Sequence, residues 1–150
     1  MRIISSGGVT TSLILPGSRN LMGGEGYVIK MRQVSTLSVE DMGINYGINP
    51  EEEKEWRWLK MACGENAKKF YRLRDRMPIS RMGEAWLFRK GFEEAKNLFR
   101  KQNDWCDSAS RLSSVNEQLN SPFPEDLQHD SLVALFRGDA KLNVHCYEVI

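Results

Sequence analysis

The chain opens its apolar pattern with a β-branched run from Val9 to Leu15. Gly7-Gly8 and Pro16-Gly17 bound this run, which predicts a strand opening into a loop. The glycine-rich loop "PGSRNLMGGEG" follows, and a second short strand is predicted over Tyr27 to Met31. "RQVSTLSVEDMGINYGINPEEEKE" is polar and aperiodic and reads as a long loop or insertion. "WRWLKMA" (Trp56 to Ala62) alternates well enough for a third strand, with a short helix as the alternative. "SRMGEAWLFRKGFEEAKNLFRKQNDW" then changes rhythm. Ala85, Phe88, Phe92, Ala95 and Phe99, with Trp86 and Leu98 beside them, recur at three- and four-residue spacing and predict a long amphipathic helix. Ser80 is its expected N-cap, and Gly91 weakens it without ending it. "CDSASRLSSVNEQLNSPFPEDLQ" reads as a polar linker closed by two prolines. A shorter helix is predicted from Asp126 to Phe136, with Gly138 as the left-handed residue after it. Lys141 to Tyr147 reads as a final buried strand with His145 in its middle.

Helices alternating with apolar strands imply an α/β fold with mostly parallel strands. The organisation is a strand–loop–strand block over 1–35, a loop or insertion over 36–55, and βα units over 56–150. A buried parallel strand needs a neighbour on each side and helices over its faces. A strand so close to Ile150 lacks them, which suggests that the chain is a piece of something larger.

Composition narrows the classes. Hydrophobic residues make up 41% and charged residues 27% of the 150 positions, as in an ordinary folded domain. The net charge of +1 gives no bulk argument for a nucleic-acid or membrane-surface partner. No apolar run approaches the roughly 18 residues of a membrane span. The N-terminal apolar stretch is broken by glycines and hydroxyls, unlike a secretory leader. Cys63, Cys106 and Cys146 are widely spaced, which fits reduced thiols better than a disulfide framework. None of this fixes a compartment.

His145 is the sharpest chemical candidate. It fits a core histidine bonded to a backbone carbonyl, and equally a metal ligand at the C-terminal end of a barrel strand. Glu65, just past the third strand, reads either as part of a solvated turn or as a metal-binding carboxylate. Lys60 lies inside the third strand, where lysine is rare without a task or an edge to reach. His129 reads as a surface residue. The glycine loop lacks the GK[ST] ending of a P-loop and the spacing of GxGxxG, so it reads as a site of close backbone packing. "KKFYRLRDR" is short, lies near "EEEKE", and reads as a solvated segment. No GxSxG elbow supports a serine triad.

Four blocks carry a resemblance: "SGGVTTSLILPGSRNLMGGEGYVIKMR", "WLKMACGENAKKFY", "SRMGEAWLFRKGFEEA" and "PFPEDLQHDSLVALFRGDAKLNVHCYE". Together, in this order, they resemble the metal-dependent amidohydrolase superfamily, in its imidazolonepropionase-like branch, the fungal type labelled carbohydrate esterase family 9. The resemblance implies a (β/α)8 TIM-type barrel, of which about half the strands are present here. It implies one or two divalent metals, usually zinc, and a small-molecule substrate with an amide, cyclic amide or N-acetyl bond. His145 resembles the family's metal-binding histidine on the fifth barrel strand, and Glu65 in "GEN" matches a metal-binding carboxylate on an earlier strand. The family usually has proline where this chain has Ala67. Gly8-Val9-Thr10-Thr11 resembles the second-strand block, which shapes the barrel without binding metal.

The family's first-strand HxH lies upstream of that block, and its sixth-strand histidine and late catalytic aspartate lie downstream of "HCYE". The resemblance therefore implies an internal fragment with an incomplete ligand set. Two other readings stand beside it: a half-barrel that self-associates through open sheet edges, and an independent α/β binding domain.

Overall fold

The computed structural model describes residues 2–36, 38, 40–43, 57–113 and 121–145. Their order is α1 (Arg2–Ser6), β1 (Thr11–Ile14), β2 (Met22–Lys30), a 3-10 turn (Glu40–Met42), β3 (Arg57–Ala62), α2 (Glu65–Arg72), α3 (Arg81–Ser113), α4 (Asp130–Arg137) and β4 (Ala140–His145). Trp56, Cys146, Tyr147 and most of the expected insertion lie outside the described residues. Among the described residues, no helix is long and apolar enough to cross a membrane.

The four strands form one sheet in the order β1-β2-β3-β4. β1, β2 and β3 pair antiparallel, and only β4 is parallel to its neighbour β3. The expectation of mostly parallel strands is thus corrected. The reason lies in the connections. Parallel pairing needs a crossover of a dozen or more residues, usually helical. Among the described residues, α-helices lie between β3 and β4, whereas the short loop after Ile14 lets β2 turn back on β1.

β2 also begins earlier than Tyr27, at Met22. Its glycines act inside the strand. The register with β3 shifts between Met22 and Gly24, and Gly24 has φ +96. That conformation suits glycine and marks a bulge. β1 is shorter than expected: Val9, Thr10 and Leu15 lie outside it, although Thr10 O still accepts from the Met31 N–H at 2.8 Å.

β3 is deeply buried. Leu59 and Met61 face one side and are each 2% exposed. Ala95 of α3 and Leu132 and Val133 of α4 complete that core, with Met22, Phe88, Phe92, Leu98 and Phe99 packed around it. The predicted stripe of α3 is therefore real, but Ala85 and Trp86 lie off it on the exposed side. Gly91 has a packing reason: a Cβ there would come within 2.5 Å of the end of the Met22 side chain.

Ser80 caps α3 as expected, its hydroxyl accepting from the Gly83 N–H at 3.1 Å. The helix does not stop at Trp105, however, and residues read as linker continue it to Ser113. Ser108 and Ser110 return their hydroxyls to carbonyls four residues back, so these polar residues satisfy themselves on the helix. The segment after it docks on α3: Gln102 donates to Pro124 O at 2.9 Å and Trp105 to Ser121 O at 2.9 Å.

α4 starts four residues later than expected. Asp126 precedes it in a turn, accepting from the Gln128 N–H at 2.9 Å. Gly138 ends α4 with φ +82, as its position predicted. His129 is half-buried and paired rather than freely solvated. Its side chain is 15% exposed, with Nδ1 2.8 Å from Asp126 Oδ2 and Nε2 3.3 Å from Glu94 Oε2. The His129 hydrogen bond, helped by the Gln128 N–H, lowers the Asp126 pKa.

The reduced-thiol reading also needs correction. Cys106 is free and exposed, but Cys63 is disulfide-bonded.

The core assignment gives a direct test. Leu59→Ala should lower the unfolding free energy by about 2–5 kcal/mol in urea titrations. Leu127→Ala, at a side chain 94% exposed, should change it by no more than about 0.5 kcal/mol. Equal effects of the two substitutions would refute this core.

Candidate functional site at the end of strands β3 and β4

Parallel pairing gives β3 and β4 a common C-terminal end. Ala62, the last residue of β3, pairs in register with His145, the last residue of β4. Ala62 is 1% exposed, and its N–H donates to Leu21 O at 2.9 Å. Cys63 and Gly64 then turn the chain, and Glu65 opens α2. Backbone topology alone thus brings the positions of His145 and Glu65 to one end of the sheet.

Glu65 is not a freely solvated turn residue. Its Oε1 lies 2.6 Å from Lys68 Nζ and 3.4 Å from Arg81 Nη2. The hydrogen bond from Lys68 is the main cause that lowers its pKa, and the charges of Lys68 and Arg81 act in the same sense. Glu65 is also in the first turn of α2, where a negative charge complements the helix dipole. At neutral pH it is an ionised oxygen donor.

Arg81 joins three elements. Its Nη1 donates to the carbonyl of Cys63, its Nη2 reaches Glu65, and Nη1 lies 3.6 Å from Glu84 Oε2. The end of β3, the start of α2 and the first turn of α3 therefore share one guanidinium. Its planar fork suits such a junction better than the point charge of a lysine.

Glu84 has the opposite environment to Glu65. Its side chain is 3% exposed, and Oε1 has no hydrogen-bond partner among the described residues. Burial is the main cause raising its pKa, and the charge of Glu65 adds to it, while Arg81 opposes both. The site thus holds one carboxylate kept ionised and a second kept prone to protonation. Environments that push paired carboxyls apart in this way separate base from acid roles.

Sequence reasoning missed both Arg81 and Glu84. A signal existed for Glu84, which lies four residues before Phe88 and so falls on the apolar stripe of α3. A charge on that stripe implies either a partner or a perturbed pKa.

Lys60 lies on the face of β3 opposite Leu59 and Met61 and is 5% exposed. Its stem packs beside Gly23, where an added Cβ would sit 3.6 Å from Lys60 Cγ. The strand lysine has therefore found glycine backbone to lie against. Among the described residues, no group of three His, Cys, Asp or Glu is arranged to hold a metal ion. Glu65 supplies one suitable donor, and the described residues do not by themselves complete a metal site.

No family model matches the chain. "Amidohydrolase tasK" from Hapsidospora irregularis is 44% identical over 151 aligned residues, covering 99% of this chain. The crystal structure of an amidohydrolase from Thermotoga maritima MSB8 superposes with a TM-score of 0.63 at 29% identity, over 93% of this chain. The chain spans 15% of the length of the first protein and 30% of the second. Sequence and fold both relate the chain to amidohydrolases.

The electrostatics of Glu84 can be tested by pH. A carboxyl with a raised native pKa binds its proton more tightly in the folded state. Its contribution to stability is therefore highest at low pH and falls as pH rises from the ordinary carboxylate range through the raised value. Glu84→Gln should raise the urea midpoint at pH 7 and leave it unchanged near pH 3. A midpoint lowered at pH 7 would mean that the contact with Arg81 outweighs the burial of charge.

Proposed function

We propose that the chain is part of a metal-dependent hydrolase acting on carbon–nitrogen bonds other than peptide bonds, in amide, cyclic amide or N-acetyl substrates. The observation that carries this reading is the similarity to amidohydrolases over nearly the whole chain. The motif blocks favour the imidazolonepropionase-like, carbohydrate esterase family 9 type. Strand β3, the helices after it and parallel strand β4 form the kind of unit from which a (β/α)8 barrel is built. We take the described sheet as a segment of such a barrel.

In this reading His145 and Glu65 are metal ligands, and the metal is zinc. A bound zinc ion would lower the pKa of a water and polarise the scissile carbonyl. The ion pair that Glu65 makes with Lys68 is no obstacle, because partly exposed pairs contribute only about 0–1 kcal/mol. Two ligands are too few for a catalytic zinc site, which takes three from the protein. The isolated chain should therefore bind zinc weakly and hydrolyse little or nothing.

The alternative is a non-catalytic half-barrel that self-associates. β1 and β4 are the outer strands of the described sheet, and an unpaired strand edge is a template for another chain. A defined dimer in light scattering, with no zinc binding, would favour this reading.

Calorimetric zinc titration of the purified chain tests the hydrolase reading. Weak binding is expected, reduced at least about tenfold, or 1.4 kcal/mol, by either His145→Ala or Glu65→Gln. Affinity unchanged in both variants would remove the ligand assignment. Zinc-dependent turnover of amide or N-acetyl substrates by the pure chain would overturn the incompleteness of its site.

A further inference from the structure

Two segments that say little separately meet in space. The loop between β1 and β2 (Pro16 to Leu21) lies against the outer face of α2 and the turn that follows it. Between them is an open groove of about 810 Å³. That volume falls in the range of small-molecule sites.

The loop is fixed to the helix by two hydrogen bonds. Asn66 Nδ2 donates to Ser18 Oγ at 2.9 Å, and the Tyr71 hydroxyl donates to Asn20 Oδ1 at 2.9 Å. These bonds consume acceptors of the loop. They leave the Ser18 hydroxyl hydrogen and the Asn20 amide hydrogens as donors.

Three cations line the same groove: Arg19 from the loop, Lys69 and Arg74 from the helix side. No carboxylate is among the lining residues. Phe70 orders two of the cations. The Arg74 guanidinium carbon lies 3.8 Å from its ring centroid and that of Arg19 lies 5.4 Å away. Arg74 is further held by a hydrogen bond from Nη1 to Phe70 O at 3.3 Å.

Three like charges and a surplus of donors thus face one open space. Such a set repels itself in isolation and is relieved by an oxyanion, which guanidinium forks bind in bidentate fashion. The net charge of +1 gives no bulk electrostatic argument for a nucleic-acid polymer. We propose that the groove between the β1–β2 loop and α2 is a binding site for a phosphate group, carried by a small molecule or free in solution. It is separate from the Glu65–Arg81–Glu84 cluster and does not depend on the metal reading.

Titration calorimetry of the chain with inorganic phosphate and with pyrophosphate, at constant ionic strength, tests the site. Both should bind, with pyrophosphate tighter. The double variant Arg19→Gln/Arg74→Gln should weaken pyrophosphate binding at least tenfold, and Lys69→Gln should weaken it less. Arg89→Gln, an exposed cation on α3, should leave it unchanged. Because Arg19, Lys69 and Arg74 are exposed, the variants should fold like the parent, which circular dichroism checks. Equal loss in Arg89→Gln would show that charge alone attracts the ion and would overturn the site. So would absence of binding at millimolar phosphate, or binding of an oligonucleotide without binding of pyrophosphate.

Discussion

Burial of β3 on both faces is the constraint around which the described structure is arranged. Leu59 and Met61 on one side and Lys60 and Ala62 on the other are all nearly inaccessible. A strand so enclosed must have its backbone groups paired on both edges, because unpaired buried amides are costly. β2 supplies one edge in antiparallel fashion and β4 the other in parallel. The parallel edge then requires a long crossover, and α2, α3 and α4 are that crossover. The end of β3 is consequently also where α2 and the start of α3 must come together. Arg81 stands at that junction, bonded to the Cys63 carbonyl and shared between two carboxylates.

The elements legible in the sequence were those set by local chemistry. The α3 stripe, the Ser80 cap and Gly138 after α4 each follow from side chains within one or two turns. What was not legible depended on partners distant in sequence. The glycines of "LMGGEG" look like loop residues, yet they belong to β2, where Gly24 accommodates a bulge against β3. The polar run after Trp105 looks like a linker, yet Trp105 and Gln102 tie the following segment back to α3, and the serines bond to the helix itself. Strand direction is hidden for the same reason: it is set by the connection, and the alternation of apolar residues does not carry it.

The candidate site shows the same division. Glu65 could be singled out because it follows a strand and opens a helix, but its environment depends on Arg81, which is far from it in sequence. Glu84 carried a readable sign, a charge on an apolar stripe, though the sign alone does not say whether a cation lies opposite. The basic stretch after Lys68 and the glycine loop each lacked a motif. Their meaning arises only where Ser18 and Asn20 bond to α2 and set their neighbours' charges around one groove.

The two carboxylates beside Arg81 differ because one is buried and the other is bonded to a lysine. Glu65 has Lys68 at 2.6 Å as well as Arg81 at 3.4 Å, and it remains partly in water. Glu84 has a share of Arg81 at 3.6 Å and feels the charge of Lys68 without a contact to it, and its side chain is almost wholly buried. Desolvation disfavours the charged form, whereas nearby cations favour it. The first effect prevails at Glu84 and the second at Glu65, so their pKa values move in opposite directions. The ionised Glu65 adds to the cost of ionising Glu84. An ionised oxygen donor at the rim and a protonatable carboxyl behind it follow from the burial of Glu84, the ion pair of Glu65 with Lys68 and the position of an arginine shared between them.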